Sequence, residues 1–375
     1  MDKSEPFFVI YYRKCGKINR TMETEIVFID EKNIDQDIID RAGDIIKQGG
    51  LVAFPTETVY GLGGDALNRE SSRKIYAAKG RPSDNPLIVH IADMEALAGI
   101  VSEIPDVALK LADNFWPGPL TMIFNKSDVV PMDTTGGLDT VAVRMPVDSV
   151  ARRFIRASGG YVAAPSANIS GRPSPTSGRF VIEDMNGRID MIIQGDDSRI
   201  GLESTIVDIT SDRPMILRPG YITKEMLEEV VGEVWTDPTI LDATCTERPK
   251  APGMRYRHYA PKGDLKVVKG PDTKVIEYIN SACEVAESLG RRVGVIATGE
   301  NASCYSYGNI KCVGNRADEE MIAHRLYTIL REFDDEDVEV IYSEAFDEGR
   351  LGGAIMNRLL KAAGHQVIDL WQEEE

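Results

Sequence analysis

Apolar residues recur at helical spacing from Ile34 through Ile38, Ala42, Ile45 and Ile46, and Gly49-Gly50 ends the run where a helix cap belongs. A short apolar run, Leu51 to Phe54, follows and stops at Pro55. The segment therefore reads as helix, tight turn and strand. The alternation continues with a helix around Ser71 to Ala78, a strand from Leu87 to Ile91, a helix from Asp106 to Phe115, and strands at Leu120 to Phe124 and Thr140 to Arg144. Further strands are expected at Tyr161 to Ala164, Met191 to Ile193 and Ser204 to Ile209. Short, almost wholly apolar strands between helices predict an α/β sheet covered on at least one face.

This first unit is expected to span residues 22–234, where the segment METEIVFID opens with a strand. Residues 1–21 show no periodicity and read as a flexible tail, or as sequence ahead of a translation start at Met22. Residues 235–262 read as a linker: Asp237 to Arg248 is irregular and polar, and PGMRYRHYAP (Pro252 to Pro261) is punctuated by Gly and Pro. A second unit, 263–375, alternates again. It has a strand from Leu265 to Val268, a helix from Lys274 to Leu289, strands Arg292 to Ala297 and Asn309 to Val313, a helix from Met321 to Phe333, a strand from Val338 to Ser343, a helix from Gly353 to Ala363 and a strand from Val367 to Leu370. That order predicts a small, Rossmann-like doubly wound sheet.

A chain of 375 residues is long enough for such a two-domain layout, and 42% apolar with 27% charged residues excludes wholesale disorder. The net charge of -17, most concentrated after Lys262, opposes long-range attraction to nucleic acid or anionic membranes, so no stable nucleic-acid binding is expected. No apolar stretch approaches the ~18 residues of a membrane-spanning helix. Five scattered cysteines without a C-x-x-C pair point to reduced thiols, and with the absence of a leader segment to the cytoplasm. Four histidines make a multi-histidine metal site improbable, and no protein-held metal is expected. Phosphate-binding P-loop, dinucleotide, nucleophile-elbow and metalloprotease motifs are all missing.

What stands out is a series of polar loops at strand ends. PTETVYGLGGDA (Pro55 to Ala66) offers two hydroxyls, Thr56 and Thr58, and glycines that let backbone approach a ligand; a plain strand-to-helix connection explains it equally well. KGRPSDNPLIVH places the cations Lys79 and Arg81 beside stiffening prolines and ends at His90; the competing explanations are a solvated cation pair and a core histidine. TVAVRMP embeds Arg144 among apolar residues, so it must be paired by an internal carboxylate or by an anionic ligand. APSANISGRPSPT, Ala164 to Thr176, is dense in hydroxyls, Gly and Pro and could be a surface loop. GLESTIVD, ILRPG with Arg218, and the linker's Arg255 to Tyr259 complete the series. Small hydroxyls and isolated cations, with no evident nucleophile or acid/base carboxylate pair, describe a site for a nucleotide and a small polar substrate that works by positioning and charge.

The ordered segments PTETVYGL, KGRPSDNPLIVH, FWPGPLT, VAVRMP, APSANISGRPSPT, ESTIVD and ILRPG, over about Ile26 to Tyr221, closely resemble YrdC-type threonylcarbamoyl-AMP synthases. The linker and the second α/β unit look like the long, two-domain form of that family. The resemblance implies a YrdC-like twisted mixed sheet and a nucleotidyltransferase reaction: L-threonine, bicarbonate and ATP give threonylcarbamoyl-AMP and pyrophosphate, with Mg2+ on the phosphates. A separate transferase complex would then modify tRNA. It implies catalytic roles for Lys79, Arg81 and Arg144, and a threonine pocket of Thr58, His90, Arg144, Ala164 and Ser204. ATP would fall to Lys79, Arg81, Asn85, Thr140, Ser166, Asn168, Ser174, Arg218, Arg255, Tyr256 and His258. The linker is expected to fold over the first domain as a lid that excludes water.

Two other readings fit parts of the pattern. YrdC-like domains resemble proteins that bind double-stranded RNA or tRNA, but the chain's charge and its lack of a basic, aromatic-laced stripe oppose that role. Hydrogenase-maturation factors carry a similar domain, with C-x-x-C zinc fingers and an acylphosphatase unit that are not visible here.

Overall fold

The computed structural model describes residues 22–240, 251–252, 258–347 and 349–371. The expected tail 1–21, residues 241–250 of the polar segment and the core of the linker, 253–257, lie outside them. The first unit runs β1 (Glu25–Phe28), α1 (Gln36–Lys47), β2 (Val52–Phe54), β3 (Gly61–Asp65), α2 (Arg69–Lys79), β4 (Ile88–His90), α3 (Asp106–Phe115), β5 (Leu120–Asn125), β6 (Thr140–Arg144), α4 (Ser149–Ala157), β7 (Val162–Ala163), α5 (Gly178–Met185), β8 (Met191–Gln194), β9 (Thr205–Asp208), β10 (Met215–Arg218), α6 (Lys224–Val231) and β11 (Trp235–Thr236). Among the described residues these strands form one mixed eleven-stranded sheet, ordered β1-β8-β2-β3-β7-β4-β6-β5-β9-β10-β11.

Strand β3 departs from the loop expected over GLGGD. It pairs antiparallel with β2, Phe54 opposite Gly61 and Val52 opposite Gly63. Glycine is a poor strand former, but a Cβ at Gly63 would stand 2.9 Å from Val162 and 3.1 Å from Phe54, so tight packing overrides propensity here. The structure also adds α4, α5 and α6, helices of 9, 8 and 8 residues that periodicity along the chain does not single out. Each does carry an apolar face, Val150, Ala151, Phe154 and Ile155 in α4, but over barely two turns the repeat is too short to stand out.

The second unit contains β12 (Asp264–Lys269), α7 (Asp272–Ser288), β13 (Val293–Thr298), β14 (Asn309–Gly314), α8 (Glu319–Asp335), β15 (Val340–Glu344), α9 (Gly352–Ala362) and β16 (Val367–Asp369). Its five strands are all parallel, in the order β14-β13-β15-β12-β16. Helix α7 covers one face, packing Val275, Ile279 and Cys283 against Val268, Val293 and Val295. Helices α8 and α9 cover the other face, as a doubly wound sheet requires.

Much of the outer sides of α8 and α9 is covered by the first unit. One apolar cluster joins Leu326, Leu330, Ile355 and Leu359 to Val59 and Leu202 of the first unit and to Tyr259 of the linker. The closest approach is at Gly201, in the left-handed region at φ +81, where an added Cβ would lie 2.5 Å from the His324 Cα of α8. Polar contacts cross the same seam: Arg331 of α8 binds both oxygens of Asp184 at 3.1 and 2.7 Å, and Asn357 of α9 donates to the Ile240 carbonyl at 3.3 Å. Gly201→Ala combines backbone strain with an interdomain clash. It is expected to destabilise the protein by about 1–3 kcal/mol, read as a lower urea midpoint; an unchanged midpoint would mean that the seam is loose in solution.

Candidate active site

The polar loops of the first unit converge on one pocket at the strand ends. Its lining includes Thr58, Lys79, Arg81, His90, Arg144, Ala164, Ser166, Asn168, Ser174, Ser204 and Arg218. Pro252, His258 and Tyr259 of the linker cover it.

At its base lies Arg144, the last residue of β6 and only 4% exposed. The carboxylate of Glu57 accepts from its Nη2 at 2.6 Å, and the Thr58 hydroxyl accepts from its Nη1 at 2.8 Å. A third bond runs from Nε to the Gly118 carbonyl at 3.4 Å. An internal carboxylate therefore pairs Arg144, and Glu57 is a site residue that the sequence alone did not pick out. Three of the five guanidinium N–H groups are used, and among the described residues the other two have no partner. Thr58 is itself oriented. The Thr56 hydroxyl donates to the Val59 carbonyl at 2.6 Å, so across the 3.0 Å contact between the two hydroxyls Thr58 is the donor and keeps its lone pairs for Arg144.

His90 ends β4 opposite Arg144 in a parallel register. Its Nδ1 lies 3.2 Å from the Ile88 carbonyl. Burial, and then the neighbouring Arg144 charge, push its pKa down to about 3.

Helix α2 ends at Lys79, and Gly80 follows in the left-handed conformation at φ 63, returning its N–H to Ala77. This cap turns Lys79 inward, where its ammonium donates to the Ser166 and Asn168 carbonyls. Burial, and then Arg81, hold the Lys79 pKa well below the usual lysine range. Arg81 donates from Nη2 to the Asn85 amide oxygen at 2.7 Å, so Asn85 orients Arg81 without lining the pocket itself.

The Ala164–Thr176 segment is not a loose surface loop. Besides Lys79, it is laced to the β2–β3 turn by Tyr60 N–H to the Pro175 carbonyl at 2.9 Å and Ala167 N–H to the Tyr60 carbonyl at 2.8 Å. Asn168 donates across the loop to the Arg172 carbonyl at 2.9 Å.

On the opposite wall the Ser204 hydroxyl lies 2.7 Å from the Thr121 hydroxyl and accepts from Arg218 Nη2 at 3.1 Å. Arg218 also donates from Nε to the Ser204 carbonyl at 3.0 Å. Burial lowers its pKa from the ordinary arginine value, though the side chain stays charged. Beside it, Glu203 is 7% exposed and accepts from Ser174 Oγ at 2.6 Å. Burial alone would raise this carboxyl, but Arg358, Arg218 and the Ser174 hydroxyl outweigh it and hold the pKa at about 2.

A family model described as "Telomere recombination" matches residues 44–220, and one described as the threonylcarbamoyl-AMP synthase C-terminal domain matches 222–364. The chain is 48% identical to a Pyrococcus abyssi protein named threonylcarbamoyl-AMP synthase, across 87% of this chain and 94% of that one. The chain belongs to the threonylcarbamoyl-AMP synthase family. A Bacillus subtilis relative of the same name is 45% identical over 92% of this chain and all of its own. The solved structure of P. abyssi Sua5 complexed with L-threonine superposes with a TM-score of 0.88 at 47% identity, covering 92% of this chain and all of that one.

Within this family member, most residues singled out from sequence sit together. Thr58, His90, Arg144, Ala164 and Ser204 line the same pocket as Lys79, Arg81, Ser166, Asn168, Ser174, Arg218 and His258. Thr140 is elsewhere: it opens the strand that Arg144 closes, four residues or ~13 Å away, and does not line the pocket. Arg255 and Tyr256 lie outside the described residues. Glu57, Thr121 and Glu203 are the additions. Each pairs with a residue already singled out, and the only available signal was that a buried arginine demands a carboxylate.

Neutral, buried His90 has a consequence for pH dependence. Below about pH 6.5 the unfolded chain binds a proton that the folded ring refuses until about pH 3, so stability falls as pH drops through that window. His90→Gln is expected to flatten unfolding free energy against pH between 6 and 4 by up to about 1.4 kcal/mol per unit. An unchanged slope in urea titrations would show that His90 is charged in the fold.

Proposed function

We propose that this protein forms L-threonylcarbamoyl-AMP and pyrophosphate from L-threonine, bicarbonate and ATP. The observation that carries the reading is Arg144: a buried cation fixed in place by Glu57 and Thr58, with two N–H groups left for a planar, bidentate anion such as the threonine carboxylate. The L-threonine in the P. abyssi Sua5 structure supports this choice of ligand.

The chemistry asks for alignment more than for a protein nucleophile. The threonine amine forms a new N–C bond to the bicarbonate carbon, releasing water and leaving a carbamate. A carbamate oxygen then forms a bond to the α-phosphorus as the bond to the pyrophosphate oxygen breaks. Arg81 and Arg218, oriented by Asn85 and Ser204, supply positive charge along the nucleotide without reorganising. Lys79 acts one step removed, by shaping the loop that carries Ser166 and Asn168. Mg2+ enters as part of MgATP.

The linker residues His258 and Tyr259 line the pocket and would form part of a cover over the nucleotide. Once closed, they would shield the labile carbamate and adenylate from water. The product would pass to a transferase complex that modifies tRNA. No helix among the described residues is long and apolar enough to cross a membrane.

Purified protein with MgATP, bicarbonate and labelled L-threonine is expected to give pyrophosphate and a threonylcarbamoyl adenylate only when all three substrates are present. ATP binding without product would end the synthase reading. Arg144→Ala is expected to weaken L-threonine binding by about 2–5 kcal/mol in calorimetry, because it leaves the substrate carboxylate and Glu57 buried without a cation. Unaltered threonine affinity in a folded variant would make Arg144 purely structural.

A further inference from the structure

We infer that the second domain completes the nucleotide pocket: Arg358 and Tyr327, acting through Glu203, are positioning residues for Ser174 and the Ser204–Arg218 pair. The inference rests on the functional reading above and extends it to a domain whose fold alone suggests no role.

Glu203 stands at the meeting point of the two units. From the first, Ser174 donates to its Oε1 at 2.6 Å. From α8, the Tyr327 hydroxyl reaches both carboxylate oxygens, at 3.2 and 3.0 Å. From α9, Arg358 Nε donates to Oε2 at 2.9 Å. Both second-domain residues are fully buried. Arg358 also grips the backbone on either side of the site. Its Nη1 donates to the Pro219 carbonyl at 2.7 Å, next to Arg218, and its Nη2 to the Glu203 carbonyl at 3.3 Å, next to Ser204. Tyr259 of the linker stacks on Tyr327 with ring centroids 5.2 Å apart, so the pocket's cover rests on the same cluster.

This geometry does more than dock one domain on the other. Docking has its own anchors, the Arg331–Asp184 pair and the apolar seam, neither of which involves Glu203. A carboxylate used only to tie domains together would not need to line the pocket, yet Glu203 does. Without Arg358 it would be left as a buried carboxylate with weaker compensation and would draw on its remaining donors. Those donors include Ser174, and Arg218 stands close by. The substrate-facing groups would then shift although neither touches Arg358.

The test uses the full chain. Binding of the ATP analogue AMPPNP is measured by calorimetry for wild type, Arg358→Met, Tyr327→Phe, Ser174→Ala and the Ser174→Ala/Arg358→Met double variant, with kcat and KM for ATP in parallel. Arg358→Met is expected to weaken AMPPNP by ~10-fold or more, and Tyr327→Phe by ~3- to 10-fold, with the ATP KM rising alongside. The double variant should bind within about twofold of Arg358→Met alone, because both changes break one chain of contacts. Independent, multiplicative effects of the two substitutions would make Arg358 a domain anchor only and overturn the inference, as would AMPPNP affinity within twofold of wild type in folded Arg358→Met. If Arg358→Met does not fold, Tyr327→Phe and its combination with Ser174→Ala decide in the same way. A wild type that binds AMPPNP but forms no product sinks the synthase reading and leaves the positioning role to be judged on binding; a wild type that does not bind AMPPNP overturns both.

Discussion

A carboxylate buried between two domains organises much of this molecule. Glu203 carries its charge in a setting that would ordinarily neutralise it, and it does so because Arg358, Arg218, Tyr327 and Ser174 surround it. Such a group tolerates few arrangements of its neighbours, since any lost partner exposes the cost of burying charge. The β9 and β10 ends, the Ser174 loop and helices α8 and α9 therefore share one geometry. Other buried ion pairs follow the same rule: Glu57 fixes Arg144, and Asp184 of α5 holds both Arg172 of the preceding loop and Arg331 of α8.

These pairs explain how a site without a nucleophile can still direct a demanding reaction. The cations are oriented before substrate arrives. Arg144 is aimed by Glu57 and Thr58, Arg81 by Asn85, and Arg218 by Ser204, each at the cost of donors that substrate does not need. A scaffold of buried strands carries them, and the linker residues His258 and Tyr259 line the same pocket. Charge fixed in place suits a reaction that works by positioning.

Strand and helix patterning disclosed the α/β character of both units because burial repeats with the period of each element, as in α1 and in the apolar run of β2. It failed at β3, where glycines are selected by the close approach of Phe54 and Val162 and carry no apolar signal. It also passed over the two-turn helices α4, α5 and α6. The loop motifs exposed most of the pocket lining, since hydroxyls and cations at strand ends are unusual enough to notice. Thr140 opens β6, the strand that Arg144 closes, and does not line the pocket.

Sequence by itself determined the two-unit layout, the residue types available for chemistry and a family resemblance dense enough to name a reaction class. Only the tertiary structure decided which carboxylate answers which arginine. Glu57 meets Arg144 across 87 residues, and Glu203 meets Arg358 across 155. The physical reason is that local periodicity records burial, a property each element carries along its own length, whereas compensation of buried charge is pairwise and depends on where the sheet order and the domain seam bring distant segments together.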